Sequence, residues 1–542
     1  MALFERDDAL AAFAGGQYDV VVVGAGMTGA GVALDAASRG LKVALIEAGD
    51  IASGTSSKSS KMVHGGLRYL QQREFRLVYE NLRERQRLLE NAPYLVRPLP
   101  FLIPLFGKNP VVTKALVKGY STALRLYEIT GGWRIGTRYR RITSQEAVEH
   151  LPTLDPEHLA AGFIYLDARG DDARVALTLA RTAALDFGAD VANYVRAMGF
   201  THGPGGRVTQ VTCRNELDHS TFTISTKTVV NATGVWADDI FAMAEQESSH
   251  RITPAKGVHL SVPRDRLPAD LAAVLNVPGD RRSIFVVPFE EAPYTFIGTT
   301  DTAYQGELDS PDCTPEDVEY LLNAVNAWTT SHLSVDDVTG VWAGLRPLLA
   351  PKDGAKLSER TADLSRRHQV TDSKDGVVHI TGGKWTTYRQ MAEDTVDALR
   401  PYFTGLKKVR TKKLRLHGVS SWRPGNERET HLYRRFGADT GELLALIEAE
   451  PSLGETMIEG QPYLGAEFVY SARHEMATSL TDLLTRRARA HLHDARATLA
   501  GAPGIARIVA PVLNWSDEET DRQVSQYRSL VQKELSAAGL PF

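Results

Sequence analysis

The sequence predicts an α/β protein: a parallel sheet opened by a glycine-rich strand–turn–helix unit, β-rich runs inserted into it, and a helical region after it. Three observations predict this. Residues 18–50, YDVVVVGAGMTGAGVALDAASRGLKVALIEAGD, join two short apolar runs through a G-x-G-x-x-G turn and an alanine-rich stretch. Two more strand–glycine–helix patterns follow far downstream, at 227–240 and 376–399. From about Lys407 to Phe542 the chain is charged with helical apolar spacing.

The bulk numbers set bounds. A chain of 542 residues is too long for one compact core. With 43% hydrophobic and 24% charged residues it has ordinary globular composition, and a net charge of −4 gives no field to attract nucleic acid. Cys213 and Cys313 match no metal spacing and no disulfide framework, which fits a reducing, cytosolic environment. The acidic start lacks the apolar stretch of a secretory signal, and no window reaches the ~18 apolar residues of a spanning helix. The expectation is a protein that is soluble or lies on a membrane surface. His474-Glu475 lacks a second histidine four residues on, and His491 and His493 stand two apart without further ligands, so no metal is expected.

The first unit reads as a Rossmann-like nucleotide site. Val20 to Val23 suit a buried parallel strand. Gly24 permits the turn, Gly26 lets backbone approach a pyrophosphate, and Gly29 lets the helix pack on the strand, with Met27 and Thr28 at the helix start. The next strand ends at Glu47, whose carboxylate suits a ribose. This much leaves FAD and NAD open. The run KTVVNATGVWADDI carries Ala232 and Gly234 after an apolar strand, as a second adenine-side crossing would. In GVVHITGGKWTTYRQMAEDTVDAL, Gly383, Lys384 and Thr386 open a helix whose positive end suits the N1–O2 edge of a flavin. A simple NAD domain needs no such third unit, so FAD is the better choice.

The stretch TSSKSSKMVHGGLRYL, residues 55–70, holds no acid. Thr55, Ser56, Ser59 and Ser60 offer donors to a pyrophosphate, with Lys61 and Met62 further along towards the ring. Arg68 and Tyr69 emerge beyond a side-chain-poor His64-Gly65-Gly66 passage, where a second anion, the substrate, would sit. Arg346 and Arg360 add planar donor forks of the kind that hold phosphate or carboxylate; each alone reads more readily as a surface ion pair, a reading weakened by their apolar, glycine- or proline-bracketed segments.

At these residues the chain resembles the FAD-dependent, respiratory glycerol-3-phosphate dehydrogenases. The resemblance runs from about Asp19 to Leu399 through GAGMTGAG, SSKMVHGGLRYL, EFRLVYENLRER, NATGVW, KGVHL, IGTTDT, GLRPL and GGKWTTYR, in family order. EMATSLTDLLTRRAR resembles the family's cap domain less distinctively. The resemblance implies oxidation of sn-glycerol 3-phosphate to dihydroxyacetone phosphate, with electrons leaving FAD for a membrane quinone. It places Arg68, Tyr69, His259, Thr299, Arg346, Arg360 and Lys384 around the substrate, and the Val195 backbone against the adenine. Trp385 and Val258 depart from the family pattern. By chemistry His259, with an ordinary pKa near 6.5, is the candidate general base. Arg346 is the alternative, and Lys384 would stabilise reduced flavin or the departing oxygen. The nearest alternatives are an oxygen-using oxidase of the same family and an amino-acid or sarcosine-type FAD oxidase on the same fold.

The expected organisation is an FAD-binding domain over 18–405, in segments of about 18–95, 165–255 and 340–405. Between them lie substrate-binding or membrane-associated segments of about 96–164 and 256–339, the latter with the antiparallel substrate sheet. A helical cap follows over 406–542. The runs 207–226 and 282–300 read as the β-rich substrate sheet. Residues 95–130 are apolar with Lys108, Lys114, Lys118 and Arg125 along them, and Pro98, Pro100 and Pro104 prevent an early helix. An in-plane amphipathic segment on anionic lipid and a buried helical hairpin are both open readings. With a quinone acceptor, the expected place is the cytoplasm, peripheral to the inner face of the plasma membrane, with a homodimer possible.

Overall fold

A computed structural model describes residues 4–67, 69, 74–107, 114–245, 252–280, 282–349, 367–373 and 375–542, the side chains of 114–116 and 245 aside. Two sheets organise it. The first has eight strands, in the order His368–Asp372, Val377–Gly382, Thr221–Asn231, Gln17–Val23, Val43–Ile46 and Asp190–Ala192, with Val208–Asn215 and Val195–His202 paired off the third. Gln17–Val23 runs parallel to Val43–Ile46 and to Thr221–Asn231, which is itself parallel to Val377–Gly382. The three strand–glycine–helix units of the sequence therefore lie side by side and end at one edge.

The alanines of the helix Met27–Ser38 explain its position. Ala30, Ala33, Ala36 and Ala37 are buried, and small side chains let it pack against both Asp172–Phe187 and Tyr388–Ala398. Gly29 is obligatory: a Cβ there would stand 1.8 Å from the Gly24 carbonyl oxygen. Gly24 itself has φ +101°, a conformation that favours glycine. Tyr388, Met391, Val396 and Leu399 all point inward, as their spacing predicts.

The second sheet has ten strands and is mostly antiparallel, built around Ile252–Pro263, Tyr294–Gly298, Ser283–Pro288, Val96–Phe106 and Leu159–Gly170. Three expectations change here. The run 207–226 belongs to the first sheet, because Thr221–Asn231 continues into the parallel neighbour of Gln17–Val23 and takes Val208–Asn215 with it. Gly340–Leu349, expected among the FAD segments, pairs along its whole length with Ile252–Pro263 in the second sheet. The proline-rich run, expected to lie in an amphipathic segment or a helical hairpin with no early helix, is a strand. Val96–Phe106 pairs continuously with Leu159–Gly170 on one side, but on the other only Phe101 and Leu102 meet Ala272 and Ala273. Pro98, Pro100 and Pro104 fall outside that short contact, where a missing N–H breaks no ladder. The helix Lys114–Thr130 follows.

The C-terminal region is helical, with Glu427–Phe436, Thr440–Ala449, Gly465–His474, Ala495–Leu513 and Asp517–Ala537 as its main helices. It shares one apolar core with the second sheet: Leu483, Ile505, Tyr527 and Val531 join Val258, Leu260 and Val341. Cys213 and Cys313 are buried and free. Among the described residues no helix is long and apolar enough to cross a membrane. Gly29→Ala is expected to destabilise the chain by about 1–3 kcal/mol through overpacking. Gly199→Ala, whose Cβ meets nothing within 4 Å, is the control, expected within about 0.5 kcal/mol of wild type. The midpoint of the first unfolding transition in urea distinguishes them.

Candidate active site

A cavity of about 1220 Å³ lies between the C-terminal edge of the first sheet and the face of the second. Gly24, Gly26, Met27 and Thr28 line one end of it. The helix Met27–Ser38 opens with Gly26 as its cap and no acid in its first turn, so its positive end meets the cavity uncompensated by the chain. Its first N–H, of Met27, donates to Ser56 Oγ at 2.8 Å. Glu47 is held by two amides, with Oε2 accepting from Ala25 at 2.7 Å and Oε1 from Gly49 at 2.9 Å, while burial pushes its pKa up. Beside it the Val195 N–H donates to the Glu47 carbonyl at 2.7 Å.

Ala232 and Gly234 extend this wall, and a Cβ at Gly234 would meet nothing within 4 Å. Gly383, Lys384 and Thr386 form the third segment, ahead of the helix Tyr388–Ala398, which also has no acid in its first turn. Two uncompensated helix starts, a carboxylate pinned at a strand end and side-chain-poor turns suit an extended dinucleotide.

The turn 55–62 departs in part from expectation. Thr55, Ser56, Ser59, Ser60 and Met62 do line the cavity. Yet the Thr55 hydroxyl donates to the Leu345 carbonyl at 2.6 Å, tying the turn to the second sheet instead of addressing a phosphate. Ser60 Oγ meets His259 Nε2 at 2.7 Å. Lys61 is not on the cavity wall. Its backbone is left-handed at φ +55°, and its ammonium turns to Asp172 Oδ1 at 3.3 Å and the Ser57 carbonyl at 3.4 Å. Burial, then the neighbouring Arg489 charge, brings its pKa down to about 8.

At the other end of the cavity stand His259, Thr299, Arg346, Lys384 and Tyr69. Arg346 lies across the Ile252–Pro263 strand at Gly257, where a Cβ would be 2.4 Å from its Nη2. Its Nη1 donates to Asp301 Oδ1 at 3.2 Å and the Lys256 carbonyl at 3.3 Å. Its Nη2 donates to Thr299 Oγ1 at 3.3 Å and the Thr300 carbonyl at 3.2 Å. The guanidinium is thus a fixed cation. Lys384 Nζ sits 3.7 Å from the centre of the Tyr69 ring, which Gly66 accommodates. Arg68 and Arg360 lie outside the described residues.

His259 is 2% exposed and stacks on Trp342, ring centres 4.8 Å apart and planes 6° from parallel. Its Nδ1 is buried without a hydrogen-bond partner. Burial first, then the charges of Lys61 and Arg346, hold its pKa well below the usual histidine value, so the ring is neutral at neutral pH. Asp301, Trp342 and Asp172 escaped the sequence reading. Trp342 had a signal, since it lies four residues before Arg346 and so on the same face of a strand. Among the described residues no group of three or more histidines, cysteines and acids is placed to hold a metal. His491 instead bonds Tyr527 and Glu534, and His493 bonds Gln461.

Comparison with known proteins agrees with this geometry. Residues 19–389 match the FAD dependent oxidoreductase family, and residues 378–520 match the C-terminal domain of alpha-glycerophosphate oxidase. The chain is 39% identical over 544 residues to glycerol-3-phosphate dehydrogenase 2 of Mycobacterium tuberculosis, covering 97% of this chain and 90% of that protein. It is 33% identical to the mitochondrial glycerol-3-phosphate dehydrogenase of Homo sapiens, covering 96% and 74%. The X-ray structure of the glycerol-3-phosphate dehydrogenase from Bacillus halodurans complexed with FAD superposes with a TM-score of 0.78 at 29% identity, covering 99% of each chain. Matched over residues 19–389 by the family model and along nearly its whole length by relatives at 33–39% identity, the chain belongs to the glycerol-3-phosphate dehydrogenase family of FAD-dependent oxidoreductases.

Proposed function

We propose that the protein oxidises sn-glycerol 3-phosphate to dihydroxyacetone phosphate and passes the electrons to a membrane quinone. The observation that carries this reading is the convergence of Arg346, Lys384 and a neutral His259 at one end of a cavity whose other end suits FAD. Bound FAD supplies the two-electron oxidant for C2. Gly24, Gly26, the start of Met27–Ser38, Glu47 and Gly234 would hold its adenine half and pyrophosphate, and Gly383, Lys384 and Thr386 its ring end.

Arg346, kept rigid by Asp301 and Thr299, binds the dianion and orients it. His259 takes the C2 hydroxyl proton at Nε2, the nitrogen already addressed by Ser60, with its ring hydrogen on Nδ1. Trp342 keeps that ring plane in place. Lys384 stabilises negative charge that develops beside the third helix start. Tyr69 lies under its ammonium and closes that side to water.

The acceptor requires contact with lipid, and one surface has the chemistry for it. Leu126 and Ile129 on the helix Lys114–Thr130, Trp133 after it, and Phe75 and Tyr79 on the helix Phe75–Asn91 are exposed, Ile129 by 70% and Trp133 by 62%. Arg134 lies 5.2 Å from both the Tyr79 and the Trp133 rings, which brings exposed aromatic residues of the two segments beside one cation. Residues 107–141 carry eight lysines and arginines against the single acid Glu128. An apolar, aromatic face on a basic segment suits peripheral attachment to an anionic membrane, at the cytoplasmic face of the plasma membrane.

Anaerobic glycerol 3-phosphate is expected to bleach the bound flavin, and a quinone analogue to restore its colour faster than oxygen does. No bleaching defeats the substrate assignment, and faster recovery with oxygen makes the protein an oxidase. Arg346→Gln should lower kcat/KM roughly 10- to 150-fold, the loss of one charge-assisted bond, with flavin content unchanged. His259→Gln should lower kcat by about 10²–10⁴. Because the His259 pKa is depressed, kcat/KM should hold its plateau well below pH 6.5 and fall only in more acid solution, where the ring takes a proton. Ile129→Glu with Trp133→Glu should abolish sedimentation with anionic vesicles. Retained sedimentation would assign the lipid contact elsewhere.

A further inference from the structure

One short segment of the C-terminal region touches both walls of the cavity. Arg489 is buried, with a left-handed backbone at φ +71°. Its Nη2 donates to the Ser57 carbonyl and to Asp172 Oδ1, the latter at 3.1 Å, and its Nη1 donates to the Thr485 carbonyl at 3.0 Å. Asp172 is fully buried at the start of its helix. Its Oδ2 accepts from the Ser59 N–H at 2.9 Å, and its Oδ1 from Lys61 Nζ at 3.3 Å. The carbonyl, amide and ammonium of the turn 57–61 are therefore all tied to one arginine–aspartate pair.

Three and four residues later the same segment reaches the second sheet. The Leu492 carbonyl accepts from Ser261 Oγ at 2.5 Å, and the His493 carbonyl from Thr339 Oγ1 at 2.6 Å. Ser261 lies two residues beyond His259 on one strand, and Thr339 directly precedes the strand that carries Trp342 and Arg346. At Gly340 a Cβ would stand 2.5 Å from the Leu492 carbonyl oxygen, so glycine allows the segment to sit this close.

We propose that residues 489–493 form a clip across the active site, with Arg489 a positioning residue that sets the cofactor-side turn 57–61 against the His259 strand. The Ser60–His259 contact spans the two sides, and its length is set by how each side is held. Hydrogen-bonded ion pairs suit this task, because they have one geometry where apolar contacts can slide. Without the guanidinium, the single Lys61 ammonium would be left to serve both buried Asp172, at 3.3 Å, and the Ser57 carbonyl, at 3.4 Å, so the turn would lose its tie to the C-terminal region and shift. The proposal rests on the assignment of that turn to FAD and of His259 to the proton step.

The test uses full-length holoenzyme carrying Arg489→Met, Arg489→Lys or Gly340→Ala. Fluorescence of released flavin gives the FAD dissociation constant, and steady-state kinetics give kcat and KM for glycerol 3-phosphate. Arg489→Met should weaken FAD binding and lower kcat by about tenfold each, with KM nearly unchanged, and Arg489→Lys should recover most of both. Gly340→Ala, which pushes on Leu492 from the other side, should lower kcat more than FAD affinity. A folded Arg489→Met protein with wild-type FAD affinity and kcat overturns the clip, even if it melts at lower temperature. If Arg489→Met does not fold, an unchanged kcat in Gly340→Ala overturns it instead. A wild-type flavin that glycerol 3-phosphate does not reduce defeats the substrate reading alone, and FAD dissociation still decides the clip.

Discussion

Parallel pairing of Gln17–Val23, Thr221–Asn231 and Val377–Gly382 is the constraint on which the rest of the molecule depends. Strands that run the same way must end at the same edge, so Gly24, Ala232–Gly234 and Gly382–Gly383 become neighbours although the chain separates them by hundreds of residues. Each turn comes off a buried strand and must leave it sharply without a bulky side chain. The polar groups offered at that edge are then backbone N–H groups and helix starts, which no change of side chain alters and which need no reorganisation when an anion arrives.

Charge in the substrate half works in two directions at once. Arg346 and Lys61 each have a carboxylate partner, Asp301 and Asp172, which fixes where the cation stands without leaving the cavity negative. The positive field that would draw a dianion inward is the same field that disfavours a proton on His259. Arg346 therefore links substrate attraction to the state of the base, in addition to the larger effect of burial. The larger cause of the neutral ring is burial, to which stacking on Trp342 contributes.

How much of this was legible in the residues follows from the range over which each pattern acts. The glycine spacing at 24–29, the alanine face of the first helix and Glu47 are local, and each stands where its spacing implies. Strand membership is set by partners, so 207–226 carried the right secondary structure and the wrong sheet, and 340–349 was grouped with the FAD segments although it pairs in the second sheet. The hydroxyls of Thr55 and Ser60 looked like phosphate donors because composition cannot say which surface will face them. Asp172 and Arg489 had no local signature at all: they are 317 residues apart and become a pair only when the C-terminal region docks. Asp35, the one charge within its helix, and Arg39, just past the helix end, are similar: they form a fully buried ion pair that Thr411 and Asp397 complete.

The first sheet also has a history imposed by its strand order. Gln17–Val23 is made first of the three, its neighbour Thr221–Asn231 two hundred residues later and Val377–Gly382 later still. During most of translation the nascent sheet keeps an open, apolar margin, and the chain between must fold its own hairpins without capturing that margin. The antiparallel arm Val195–His202 and Val208–Asn215, made just before Thr221–Asn231, gives the arriving strand a local template on which to assemble. The first sheet therefore cannot close until the strand Val377–Gly382 has been made, a condition set by its strand order and independent of the chemistry it serves.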